Sequence, residues 1–254
     1  GFEDSPSVNI FYHNYKALTE ENSKPWFDKL RVLIRKYSGQ FTNTEMREFY
    51  IGAVNYCIKQ FNSGDKNALS EAFELYQEGL ENGSLIDKGI LSRNTYNNIV
   101  LSGCLLKQFD RTEQFIYNYK NNIEERFRES TFNYNLAILY FRKPDYPKAM
   151  ELLQRVDFDD VMHNLNARRM LLKIYFETDE TDALDSMLTS FRNYIYRHKE
   201  LGGSHRNSYL NLIKFTYKIL SVSKLDKKSV TFVRREIENT EPIAEKAWLL
   251  SQLA

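Results

Sequence analysis

The sequence predicts an all-α solenoid of stacked helix pairs, about six of them followed by a C-terminal capping helix. Three observations carry that reading. Gly103, Ala137 and Leu171 stand 34 residues apart in succession, as do Leu106, Tyr140 and Ile174, and Phe115, Ala149 and Ala183. Self-similarity at that period marks an array in which each helix-turn-helix unit buries its apolar face against the next. Turn punctuation is sparse, with 10 Gly and 5 Pro in 254 residues, which suits long helices and starves a sheet-rich fold. The hydrophobic share of 42% supports a core, and the charged share of 27% supports a wetted surface.

Each element follows from local chemistry. A first helix is expected over about 7–20. Ser23-Lys24-Pro25-Trp26 opens a second, with Ser23 as cap and Pro25 in the first turn, where its missing N–H costs nothing. It ends near Ser38-Gly39. Thr42-Asn43-Thr44-Glu45 starts a third, whose apolar positions Phe49, Ala53, Tyr56, Cys57 and Phe61 keep helical spacing. After the turn Asn62-Ser63-Gly64-Asp65, a fourth helix carries Leu69, Ala72, Phe73, Tyr76 and Leu80. It closes at Asn82-Gly83, where glycine can take a left-handed cap.

Residues 84–91 read as a connection. Regular pairs then follow at about 92–107 with 110–124, 129–142 with 145–156, and 161–178 with 180–200. Asp110, Asp145 and Asp179 stand ready to cap the second helices. Gly202-Gly203-Ser204 breaks the chain before helices near 205–221, 226–239 and 242–253, the last starting at Pro242. No low-complexity tract interrupts this order, so 1–254 reads as one helical-repeat domain. Its regular repeats span about 92–200, between degenerate flanking pairs at 7–83 and 205–254.

Residues 96–197, about two-fifths of the chain, resemble the tetratricopeptide repeat family. That family places a small residue midway along the first helix, a role filled by Gly103 and Ala137 but not by Leu171. A large apolar residue follows three positions on, at Leu106, Tyr140 and Ile174. A small residue opens the facing side of the second helix at Ala149 and Ala183, where Phe115 departs, and Tyr119, Leu153 and Met187 follow four positions later. The family's helix-ending Pro is missing, with Val161 where it would fall at the end of the second helix pair; the 130–163 unit is the best match. The resemblance implies a right-handed α-α superhelix whose first helices line a concave, peptide-binding groove. The texture also resembles bacterial helical-repeat proteins that carry no activity to transfer.

The groove so implied is lined by Asn97, Val100, Thr131, Tyr134, Asn135, Arg142, Arg168 and Arg169. Asn135 and Arg169 lie one repeat apart and match two of five positions that clamp a peptide carboxylate in family members. Val100, Cys104 and Leu165 replace the other partners. A guanidinium beside an amide, with Tyr134 nearby, suits an acidic or aromatic peptide.

Catalytic chemistry finds no foothold in the sequence. The four histidines, His13, His163, His198 and His205, show no metal-ligand spacing; only His198 and His205 flank one turn. Gly202-Gly203-Ser204 lacks the Lys-Ser/Thr of a phosphate-cradling loop. Asp159-Asp160 and Asp179-Glu180-Asp182 could be the paired acids of a helical α/α glycosidase. Their place at predicted helix starts already explains them through the exposed N–H groups. Cys57 and Cys104 read as small buried residues and not as a disulfide.

The expectation is therefore a non-catalytic scaffold with no cofactor and no metal, binding a protein or peptide partner. A net charge of +1 gives no global pull toward nucleic acid or membrane. Charge is uneven, however. Residues 157–185 hold eight acids against three bases, and 186–254 hold twelve bases against six acids. The basic end keeps single-stranded nucleic acid as a second reading. A homodimer through an unfinished cap stays open. No apolar run approaches the ~18–20 residues that span a bilayer, which points to the cytoplasm. Because the chain begins with Gly1, it is read as processed or as part of a longer protein.

Overall fold

The structure, a computed structural model, describes residues 5–154, 161–223 and 225–253. It is all-α apart from one two-stranded ribbon. The described residues hold thirteen α-helices: α1 (Pro6–Thr19), α2 (Lys24–Tyr37), α3 (Asn43–Asn62), α4 (Ala68–Glu81), α5 (Arg93–Leu105), α6 (Phe109–Asn118), α7 (Arg128–Arg142), α8 (Tyr146–Gln154), α9 (Val161–Glu177), α10 (Thr181–Arg197), α11 (Gly203–Ser221), α12 (Lys227–Glu238) and α13 (Lys246–Ser251). None is long and apolar enough to cross a membrane.

Several boundaries follow their expected chemistry. At α3 the Thr42 hydroxyl accepts from the Glu45 N–H, and the Glu45 carboxylate accepts from the Thr42 N–H at 2.9 Å. Two orphan donors are thereby satisfied reciprocally. Gly83 ends α4 with φ +76°, the left-handed conformation that a side chain resists. The Asp145 carboxylate accepts from the Lys148 side chain and from its backbone N–H, which holds its pKa below the ordinary value and caps α8.

Elsewhere the structure departs from the sequence expectation. Ser23 precedes α2 but makes no side-chain cap; its hydroxyl accepts from Gln60 Nε2 across to α3. Residues 84–91 fold into a hairpin, β1 (Ile86–Asp87) antiparallel to β2 (Ile90–Leu91), with Ile86 opposite Leu91. Lys88 and Gly89 turn it with φ of +50° and +81°, the backbone of a tight two-residue turn. Helix α6 stops at Asn118 and not near 124. Two short 3-10 turns at Lys120–Asn122 and Glu125–Phe127 follow, and between them Ile123 is buried. Asp179 takes φ +56° inside its turn, one residue before the Glu180 cap position. Pro242 does not start the last helix: its carbonyl accepts from Asn211, and α13 begins at Lys246 after left-handed Glu245. Asp159 and Asp160, expected at a helix start, lie outside the described residues.

The chain divides into two compact units, residues 1–157 and 158–254, where the sequence reads as one array. Each unit holds a cluster of buried apolar side chains of its own. In the first unit the core runs from Ile10 to Leu139, with Phe27 stacked on Tyr56 at 4.2 Å between ring centres. Gly103 lets α5 approach α6 closely. A Cβ there would meet Thr112 Oγ1 at 2.1 Å and the Phe73 ring at 3.1 Å. In the second unit the core gathers around Leu188, Phe191, Leu212, Phe215 and Leu249.

Candidate functional site

Most groove residues expected in the first unit are interior. Asn135 is 0% exposed; its Nδ2 donates to Asn97 Oδ1 at 2.7 Å and to the Thr131 carbonyl at 2.8 Å. It therefore ties α7 to α5 and does not face a ligand. Thr131, Tyr134 and Val100 are buried as well, so the expected row of groove side chains is packed away. The reason is that α7 is buried nearly all round: Phe132, Leu136, Ala137 and Leu139 are interior together with 131, 134 and 135, which leaves little of the helix to line a groove. Arg142 is exposed, in the last turn of α7, where a cation suits the unsatisfied carbonyls. The Cys57 and Cys104 thiols are both buried, and desolvation pushes each up to about 12, so neither is a thiolate at neutral pH.

In the second unit the two adjacent arginines have separate fates. Arg169 pairs with Glu245 at 2.9 Å, and Lys173 reaches the other oxygen of the same carboxylate at 2.8 Å. Glu177 accepts from Trp248 Nε1 at 2.7 Å, which adds a second tie between α9 and the last helix. Arg169 is thus committed inside the chain and does not form the expected clamp. Asn135 and Arg169 fall in different units, each with its own intramolecular partner.

Arg168 is different. It is half-buried on α9, where Nη1 donates to Ser190 Oγ at 2.9 Å and Cζ lies 4.6 Å from the centre of the Tyr194 ring. Its Nε is buried with no hydrogen-bond partner, and no carboxylate lies within 4.0 Å among the described residues. Burial pulls the guanidinium below its ordinary pKa, as expected where a charge has lost water and gained no counter-ion.

The unpaired guanidinium borders an open cavity of about 520 Å³. Its other walls come from α10: Asp185, Ser186 and Thr189 toward one end, Ser190, Asn193, Tyr194 and Arg197 toward the other. The helix can present this polar stripe because its opposite stripe, Leu184, Leu188, Phe191 and Ile195, is fully committed to the core. Tyr217 of α11 donates to Asp185 Oδ1 at 3.2 Å. His198 Nδ1 lies 2.5 Å from Glu200 Oε1, and its ring packs on Tyr194 at 4.1 Å. Among the described residues no group of three His, Cys, Asp or Glu side chains could hold a metal.

The groove reading named Arg168, which borders this cavity, and named none of the α10 stripe. Serines, a threonine and an asparagine at helical spacing look like any solvated surface. Only their meeting with an unpaired arginine from α9 distinguishes them. Compared with protein-family models, with curated proteins and with solved structures, the chain matches none.

Proposed function

We propose that this chain is a non-catalytic, tetratricopeptide-like scaffold that holds an acidic peptide segment of a partner protein in the α9/α10 cavity. One observation carries the reading: Arg168 is half-buried, aligned by Ser190 and Tyr194, and has no carboxylate partner. A desolvated cation without a counter-ion is costly, and an incoming anion removes that cost. Guanidinium-carboxylate bonds are directional and charge-assisted, worth about 1.5–3 kcal/mol each when water is excluded. Hydroxyl and amide groups of Ser190 and Asn193 beside it can complete the shell of a bound anion.

The test is a selection from a random peptide library, followed by dissociation constants for the winners. Arg168→Ala is expected to weaken binding about 10–100-fold, in line with the loss of one charge-assisted contact. Arg168→Lys recovers part of the loss, and Arg142→Ala changes nothing. Peptides without acidic residues, or full affinity in Arg168→Ala, would overturn the reading.

A second reading, single-stranded nucleic acid, is favoured by one feature of α12. Phe232 is 63% exposed, with Lys228 one turn before it and Arg235 one turn after it on the same face. Neither cation has a carboxylate partner among the described residues. An aromatic ring between cations is a stacking platform for a base. Under this reading a labelled oligothymidylate binds with steep salt dependence, and Phe232→Ala weakens it by about 1–3 kcal/mol. Binding that ignores both salt and the Phe232 ring would sink it.

A further inference from the structure

We propose that the α9/α10 cavity reads two opposite charges on one extended segment, an acidic group at Arg168 and a basic group near Asp185 about three residues away. The inference rests on the peptide-binding reading above and adds the chemistry of the second anchor. The cavity is polarised along α10. At one end the Arg168 guanidinium sits between Ser190 and Tyr194, and Arg197 stands one turn further on. Arg197 too has no carboxylate within 4.0 Å among the described residues. At the other end Asp185 lines the same cavity, is exposed, and faces no base within 4.0 Å among the described residues.

Asp185 has one donor, the Tyr217 hydroxyl on Oδ1, which fixes the carboxylate and leaves most of its accepting capacity to the cavity. Arg168 and Asp185 do not neutralise each other, because they stand apart along the helix axis. From position 185 to the 190–194 level the helix climbs about 8–13 Å at ~1.5 Å per residue. An extended peptide covers that distance in about two to four residues, at ~3.1–3.4 Å each. A segment bearing Glu or Asp and, two to four positions away, Lys or Arg therefore satisfies both ends at once. A segment with two acids places one of them against Asp185 and is disfavoured, which gives the site selectivity as well as attraction.

The experiment is a ¹⁵N-HSQC titration of the full chain with nine-residue Ser/Gly peptides. Each carries one Glu and one Lys, separated by one to six positions, in both orders. The expected result is tightest binding at separations of two to four, with shifts concentrated on α10. Asp185→Lys, a change at an exposed position, is expected to weaken the Glu/Lys peptides about 5–10-fold and to favour Glu/Glu peptides instead. Asp185→Asn gives a smaller loss and no reversal.

Binding lost in Arg168→Ala but indifferent to peptide spacing and to the charge at 185 would overturn this inference and leave the anion site standing. Full binding in Arg168→Ala would remove both. A circular dichroism spectrum matching wild type confirms that the variants keep the fold, so a loss of binding is read at the site.

Discussion

Phe191→Ala is expected to lower the free energy of unfolding by about 3–5 kcal/mol, the usual cost of emptying an aromatic site in a packed core. Phe191 is 0% exposed, on the inward stripe of α10 between Leu188 and Ile195, and its ring centre lies 5.7 Å from that of Tyr209 on α11. No neighbour can fill the space of a phenyl ring without leaving its own rotamer, so most of the cavity persists. Urea unfolding followed by circular dichroism measures the loss directly. A change under about 1 kcal/mol would mean that α10 is not held as described. The same variant carries a functional control. Phe191 faces away from the cavity stripe, so peptide affinity measured well below the transition should match wild type.

Asn135→Asp is expected to cost about 2–4 kcal/mol at neutral pH, although the two side chains are nearly the same shape. The wild-type amide donates twice, to Asn97 Oδ1 and to the Thr131 carbonyl, and a carboxylate donates nothing. Turning over the Asn97 amide restores one bond, which leaves desolvation of the charge as the main penalty. Burial raises the pKa of the introduced carboxyl in the folded state above its unfolded value of about 3.9. The folded state then binds the proton more readily than the unfolded chain, so the penalty shrinks as pH falls through the raised pKa and is smallest below about 3.9. Denaturant melts of wild type and variant at pH 7 and pH 4 should show the gap narrowing. A gap independent of pH would mean that the site is wet.

Helix content was legible because apolar spacing and punctuation act locally. Thr42-Asn43-Thr44-Glu45 and Asn82-Gly83 do in the structure what their side chains predict. The hairpin over 86–91 was not legible as strand, since two residues a side give no alternation to count. Asp87-Lys88-Gly89 was the only cue. The start of α13 was missed because proline permits a helix start without requiring one, and the chain turns for three more residues before it coils. Site residues were harder. Asn135 and Arg168 are both polar and both near helix midpoints, and the sequence cannot say that the first is sealed between α5 and α7 while the second opens on a cavity. That difference is a matter of register between helices, set by packing partners far away in sequence. Arg169 shows the same limit, because its partner Glu245 lies 76 positions later (245 − 169 = 76).

Gly103 has a consequence for how this chain can change over generations. With Thr112 Oγ1 only 2.1 Å from where a Cβ would stand, no side chain enters without displacing its neighbour. The matched position one unit later is Ala137, fully buried, and the next is Leu171, only partly so. The same slot thus runs from no side chain to a small one to a large one, and its tolerance to substitution should widen in that order.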